Sequence, residues 1–193
     1  METNENNLGL LAARNRLNDW VAVSVAILSA FMAVTKVKDD NIVQAMLQVK
    51  SDAVDTWSEY QSKRIKQHLA EVGLMQTQAL SVIAPERGKV VLADQERDYR
   101  NNIARYAAEE ETLKKKARGF EKDYDDLNYR DDQFDMSDAA LSLSLALLAV
   151  TALTSKRKLF AFSWLFGGFG VVMGLAGLVG LSLHPDWLTK LLS

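Results

Sequence analysis

The chain has 193 residues and a net charge of −2, and 48% of its residues are hydrophobic beside 25% charged. The absence of cysteine excludes disulfides, cysteine-ligated metal sites and thiol nucleophiles, and two histidines leave little for histidine-based metal or acid–base chemistry. The charge balance offers no general attraction for nucleic acid. Apolar and charged residues lie in separate blocks, which predicts an all-α membrane protein.

Three stretches contain no charged residue and are candidates for membrane-spanning helices: residues 20–35, 139–155 and 159–183. A hydrocarbon core of about 30 Å needs roughly 20 helical residues, so the third stretch is long enough by itself. The first two are shorter and need flanking side chains to reach the headgroups, a role that suits Trp20 and Lys36. Short apolar runs also form buried helices in soluble proteins. The third stretch nevertheless commits the chain to a bilayer, and we predict three spans.

The other segments are assigned around these spans. Residues 1–19 form an N-terminal segment, residues 156–158 a basic loop, and residues 184–193 a C-terminal segment in which Trp187 suits an interfacial anchor. A signal peptide would need a cleavage site of small residues after the first span. The sequence offers no good site, which favours a retained anchor.

Residues 36–138 have the pattern of a long helical hairpin whose turn lies near residues 84–88, where Pro85 and Gly88 interrupt the helical pattern. After the turn, mostly apolar residues recur at alternating spacings of three and four, the period of a left-handed coiled coil. This second-arm stripe comprises Leu92, Glu96, Tyr99, Ile103, Tyr106, Glu110, Leu113, Ala117, Phe120, Tyr124, Leu127, Asp131, Phe134 and Asp138. Its phase continues into the second span, so one helix is predicted to join the two.

Before the turn the same spacing is weaker. The first-arm stripe comprises Val43, Leu47, Lys50, Val54, Trp57, Ile65, Leu69, Val72, Gln76, Ala79 and Ile83, with a four-residue slip at Gln61 that locally unwinds a supercoil. Two arms of similar length around one turn predict an antiparallel coiled-coil hairpin in which the two stripes face each other. The alternative, a compact bundle, needs further helix breakers, and residues 89–118 contain no proline or glycine.

The basic loop at residues 156–158 predicts the sidedness, because short loops rich in lysine and arginine stay in the cytoplasm. With three spans, the N-terminus is then cytoplasmic and the hairpin lies outside, which in a bacterium is the periplasm. Lys36 and Lys38 balance Arg14 and Arg16 across the first span, so the prediction depends on the loop.

The third span carries a glycine face. Gly167, Gly170, Gly174 and Gly177 are three and four residues apart, a pattern of small residues that lets another helix backbone approach closely in lipid. We assign these four residues as candidate oligomer contacts. Packing within the chain is the alternative, for instance on the alanines of the first span, Ala26, Ala30 and Ala33.

Aspartates cluster where the hairpin meets the spans. We expect Asp39 and Asp40 to face an acidic collar formed by Asp131, Asp135 and Asp138. One interpretation is a divalent-cation site or a cation-attracting vestibule. The other is a polar collar of Lys–Asp pairs that marks where the helices leave the lipid, and it is favoured because charged surface is ordinary at this boundary.

Two motifs carry a family resemblance. Trp57-x-x-Tyr60-Gln61-x-Lys63-x-Ile65-Lys66 and Arg130-Asp131-Asp132-Gln133-Phe134-Asp135 resemble a bacterial membrane-protein family catalogued as domain of unknown function 4337. The likeness covers most of the chain and implies a multi-pass protein of the bacterial inner membrane, without naming an activity. It draws attention to Trp57, Tyr60, Gln61 and Lys63 as contacts with the facing arm or a neighbouring chain, the alternative being an aromatic plug.

We expect a non-enzymatic scaffold or accessory subunit that is anchored in the lipid bilayer and binds copies of itself or another membrane protein through the hairpin and the glycine face. The alternative is an oligomeric channel or transport component with an acidic vestibule. An enzyme ranks third, because the sequence offers no nucleophile, metal or cofactor constellation, and no span contains an internal charged residue. No cofactor, metal, nucleic acid or small-molecule substrate is predicted.

Overall fold

The computed structural model describes residues 2–181, with side chains from residue 14 onward. This part of the chain consists of α1 (Glu2–Ile83), α2 (Glu86–Thr154) and α3 (Arg157–Val179), and it contains no strand. The prediction of an all-helical fold is therefore confirmed. Each of the three helices contains a stretch long and apolar enough to cross a membrane. The predictions for residues 184–193, including Trp187, lie outside the described residues.

The break between α1 and α2 falls within the predicted turn. Pro85 has no backbone N–H and disfavours a helical conformation of Ala84, so α1 ends at Ile83. The amides of Gly88 and Lys89 then donate to the Pro85 carbonyl, at 2.8 and 3.2 Å, and begin α2. The turn is therefore a local consequence of one proline.

The ends of α3 are set by two residues with positive φ angles. Ser155, at φ 54°, and the extended Lys156 separate α2 from α3 within the predicted basic loop. Gly180, at φ 73°, ends α3 in the left-handed conformation that glycine commonly supplies at helix C-termini. The helix is thus shorter than the 159–183 span, because its last turn closes at Gly180.

The chain divides into two compact units. The three-helix unit comprises Met1–Ala45 and Asp126–Ser193, and the hairpin unit comprises Met46–Asp125. The core of the three-helix unit is formed by buried aliphatic side chains of α1 and α2: Val21, Leu28, Leu141 and Leu148. Buried hydroxyls join α2 to α3, since Ser137 Oγ donates to the Gly170 carbonyl (2.7 Å) and Ser144 Oγ to the Ser163 carbonyl (2.8 Å).

The hairpin unit pairs its two arms in antiparallel fashion. Contacts between the arms run in opposite directions along the sequence, from Gly73 against Tyr99 near the turn, through Lys63 with Glu109, to Trp57 with Glu121. Every member of the second-arm stripe from Leu92 to Tyr124 is buried or half-buried. The prediction for which face of the second arm is covered is therefore confirmed.

The prediction for the first arm is wrong. The first-arm stripe points outward, with Ile65 60%, Leu69 66% and Ile83 80% exposed. The covered positions lie on another face and keep the spacing of three and four without a slip: Met46, Val49, Ala53, Thr56, Tyr60, Lys63, Gln67, Ala70, Leu74 and Thr77.

Side-chain size explains this exchange of faces. The second arm fills the space between the arms with Tyr99, Tyr106, Phe120 and Tyr124, which leaves room mainly for small residues opposite. At Gly73, an added Cβ would lie 2.6 Å from the Tyr99 ring. Ala53, Ala70 and Thr77 are therefore buried, while the larger aliphatic side chains of the first-arm stripe are exposed.

We predict that Gly170→Ala destabilises the three-helix unit, because its Cβ would lie 3.0 Å from the Ser137 carbonyl oxygen and 2.8 Å from Leu141. Overpacking of this kind costs about 1–3 kcal/mol. Gly168→Ala is the matched control, because no atom lies within 4 Å of its Cβ position and alanine favours the helix. Thermal unfolding in mild detergent measures both, and equal stability of the two variants would contradict the packing described.

Candidate functional site

The three-helix unit brings the predicted acidic residues of α1 and α2 together. Asp39 is 5% exposed, and its Oδ2 accepts a hydrogen bond from Lys36 Nζ at 2.9 Å. Its carboxyl faces Asp131 and Asp135 of α2. Asp40 was expected in the same cluster, but its side chain is largely exposed, 4.0 Å from Lys36. The centre of the acidic cluster is therefore Asp39 with Asp131.

One cation, Lys36, compensates part of the negative charge of this cluster. The hydrogen bond and the negative charge of Asp39 raise the pKa of Lys36, and Asp40 and Asp138 add smaller contributions in the same direction. Lys36 therefore keeps its proton and compensates part of the negative charge at the end of the first apolar stretch. An ammonium of this kind is the partner that a buried carboxylate requires.

The surroundings of Asp131 raise the pKa of its carboxyl. Burial, a hydrogen bond to Asp39 and the charges of Asp135, Asp39 and Asp132 raise the pKa of Asp131 to about 6. Asp39 Oδ1 is buried and has no hydrogen-bond partner among residues 14–181. A proton on Asp131 would supply a donor to this pair of carboxyls. Burial and the charge of Asp39 also raise the pKa of Asp135. Asp131 and Asp135 therefore bind protons at a higher pH than ordinary aspartates do.

The same cluster offers little to a metal ion. No group of three or more histidine, aspartate or glutamate side chains among the residues with described side chains is arranged to hold one. With Lys36 as the counter-charge beside Asp39, the arrangement favours the interpretation of a polar collar over that of a cation site.

Arg130 and Gln133 have a role that sequence reasoning missed. Arg130 donates from Nε and Nη2 to the Gly177 carbonyl, at 3.3 and 3.1 Å, and Gln133 Nε2 donates to the Leu181 carbonyl at 2.7 Å. Both side chains thus satisfy carbonyls at the C-terminal end of α3, where a cation is also favoured by the helix dipole. The signal in the sequence was the spacing of Arg130, Gln133 and Phe134, which places them on one face of α2.

The predicted glycine face is covered by the same chain. A Cβ at Gly167 would meet Ser144 and Leu28, one at Gly174 would meet Ser137 and Phe31, and one at Gly177 would meet Phe134. The assignment of Gly167, Gly170, Gly174 and Gly177 to an oligomer contact is therefore corrected, because α1 and α2 occupy the space that a second copy would need. The predicted partners on α1 also differ, since Ala26, Ala30 and Ala33 are exposed.

The candidate contact residues of the hairpin unit face the second arm rather than open solvent. Trp57 Nε1 donates to Glu121 Oε1 at 2.9 Å, and the rings of Trp57 and Tyr60 pack edge to face at 5.4 Å. Lys63 Nζ lies 2.6 Å from Glu109 Oε2, and this contact lowers the pKa of Glu109 and raises that of Lys63. Gln61 is the exception and is exposed. Trp57 therefore contacts the facing arm, unlike most of the first-arm stripe, and Tyr60 packs against Trp57.

The outward face of the first arm carries a second candidate site. We name it the outer stripe, and its apolar members are exposed: Leu47, Val54, Ile65, Leu69, Val72, Leu80 and Ile83. Lys50, Ser58, Gln61 and Gln76 lie between them on the same face. Successive positions are three, four and four residues apart from Leu47 to Ile83, an 11-residue repeat that favours a right-handed supercoil. The slip at Gln61 belongs to this repeat.

Comparison with known families gives one result for the chain. The model of a family described as a domain of unknown function (DUF4337) matches residues 17–180. The match includes both motifs, the hairpin unit, α1 from residue 17 to its end, α2 and α3. No curated protein and no solved structure matches the chain.

We predict that the stability of the three-helix unit falls as the pH rises from about 4 to about 6. Folded Asp131 holds its proton up to a pKa of about 6, whereas an unfolded aspartate loses it near 4, so the folded state binds more protons in this interval. The stabilising contribution is complete below pH 4 and lost above pH 6. Asp131→Asn should flatten this dependence of the thermal midpoint in detergent, whereas Asp123→Asn, at an exposed position, should leave it unchanged. An unaltered pH profile in Asp131→Asn would contradict the raised pKa of Asp131.

Proposed function

The chain belongs to the DUF4337 family, and we propose that it is a non-enzymatic scaffold or accessory subunit, anchored in a membrane, whose helical hairpin binds a partner chain. The single observation that carries this proposal is the outer stripe of the hairpin unit. Its seven apolar side chains lie along one face of a helix and are exposed. Contiguous exposed apolar surface of this kind marks a binding site in proteins that are otherwise well packed.

The hairpin in this proposal is a left-handed coiled coil. Support comes from the covered faces of both arms, which keep the alternating spacing of three and four over the length of the unit. The Trp57–Glu121 hydrogen bond and the Lys63–Glu109 ion pair add polar contacts that fix the register of the arms. A hairpin so fixed can present its outer face as a rigid surface.

The three-helix unit is the membrane anchor in this proposal. The apolar stretches of α1, α2 and α3 would cross the inner membrane of a bacterium, with the N-terminus in the cytoplasm and the hairpin in the periplasm. The supporting observations are the composition of the three helices and the basic residues between α2 and α3. The acidic cluster would then lie at the periplasmic surface as a polar collar, with Lys36 as its counter-charge.

Topology is tested with single cysteines, because the native chain has none. We predict that a membrane-impermeant maleimide labels Arg87→Cys at the hairpin turn in intact bacterial cells. Thr154→Cys, beside the basic loop, should be labelled only after the cells are permeabilised. Labelling in the reverse order would exclude the proposed orientation.

Assembly is tested by replacing one side chain of the outer stripe. We predict that Leu69→Asp converts the particle isolated in mild detergent to a single chain, or removes a co-purifying protein, as measured by native mass spectrometry. Val90→Asp is the matched control, since Val90 is 67% exposed and lies on α2 rather than on the outer stripe. A wild-type chain that is isolated alone and monomeric would refute the proposed function.

A further inference from the structure

We propose that the partner bound by the outer stripe is a second copy of this chain, packed in parallel and in register along α1. This inference rests on the proposed function and identifies the partner at the same surface. It uses the exposed side chains of the hairpin unit and does not involve the glycine face, which is covered within the chain.

The length of the outer stripe is close to what a stable dimer needs. From Leu47 to Ile83 it extends over about 55 Å of helix. A contact of this length and about 10 Å in width covers roughly 1,100 Å² when both copies are counted, near the lower limit of about 1,200 Å² for stable interfaces and above most incidental contacts. The occupant is therefore an extended helix rather than a short peptide.

The order of apolar and polar residues favours a copy in parallel register. Each apolar position would meet its own counterpart, Val54 with Val54, Ile65 with Ile65 and Leu69 with Leu69. The polar positions Ser58, Gln61 and Gln76 would likewise meet only polar counterparts. Paired amides at the core of a helix dimer hydrogen-bond to each other and fix its register.

An antiparallel copy fits less well. Pairing two stripes about Gln61 would place Leu47 opposite Gln76, Lys50 opposite Val72 and Ser58 opposite Ile65. Three of the layers would then set a polar side chain against an apolar one, which leaves hydrogen-bonding groups unpaired. Pairing about Leu69 instead leaves only Ser58 opposite an apolar residue, Leu80. The direction is therefore set by the proposed anchor, which gives every copy the same orientation in the membrane and so favours the parallel pair.

Two further features suit the parallel dimer. The 11-residue repeat is the same in both copies, so a right-handed supercoil keeps their stripes in contact over the full length. Lys50 would bring two like charges together, but its ammonium lies 5.8 Å from the centre of the Tyr124 ring on its own second arm. Only the aliphatic stem of Lys50 therefore faces the second copy.

Disulfide trapping in the full-length, cysteine-free chain tests the inference. Val54→Cys and Leu69→Cys are expressed singly in membranes and oxidised with copper phenanthroline. We expect each variant to form a disulfide with its own counterpart, whereas Ala107→Cys, exposed on the second arm, does not. A second change, Leu69→Asp, should reduce the Val54→Cys disulfide at least tenfold, and Val90→Asp should leave it unchanged. Circular dichroism confirms that the exposed substitutions keep the helical content.

The remaining outcomes separate this inference from the proposed function. If Val54→Cys links only to Leu69→Cys in a mixture of the two, or if Leu69→Cys links to itself while Val54→Cys does not, the copies are antiparallel and the inference is overturned. If neither forms a disulfide while a different protein co-purifies through the outer stripe, the inference fails and the scaffold function stands. If the chain is monomeric without any partner, both fail.

Discussion

The hairpin unit depends on how the aromatic side chains of its second arm fill the space between the arms. Tyr99, Tyr106, Phe120 and Tyr124 lie on the covered face of α2. Gly73 shows the resulting constraint most directly, because a single added carbon would overlap the Tyr99 ring. Some aliphatic residues of α1, such as Leu74, still lie on the covered face, but Ile65 and Leu69 are exposed and give the hairpin a surface that another helix can cover.

In the second family motif, Arg130 to Asp135, two faces of one helical segment contact different helices. One face of this helical segment, with Arg130, Gln133 and Phe134, holds the C-terminal end of α3 through its carbonyls and Gly177. The other face, with Asp131 and Asp135, meets Asp39 of α1. Six consecutive residues therefore join both neighbouring helices. When Asp131 is protonated, the electrostatic repulsion between neighbouring carboxylates is smaller.

The glycine face shows why close packing in this unit is a property of the single chain. Small residues on α3 allow the backbones of α2 and α3 to approach until Ser137 and Ser144 donate to α3 carbonyls. These hydrogen bonds satisfy polar groups that an apolar environment would otherwise leave unpaired. The outer stripe, by contrast, is exposed.

The sequence by itself determined the helical class, the turn at Pro85, the apolar stretches and the covered face of the second arm, because each follows from local conformational preference or from a continuous period of large side chains. Only the tertiary structure decided which face of the first arm is covered and what the glycines contact. Periodicity identifies an apolar stripe but not its occupant, since two faces of α1 repeat with similar spacing. The choice between them depends on side-chain volumes contributed by residues far away in the chain, such as Tyr99 opposite Gly73, and these meet only when the arms pack.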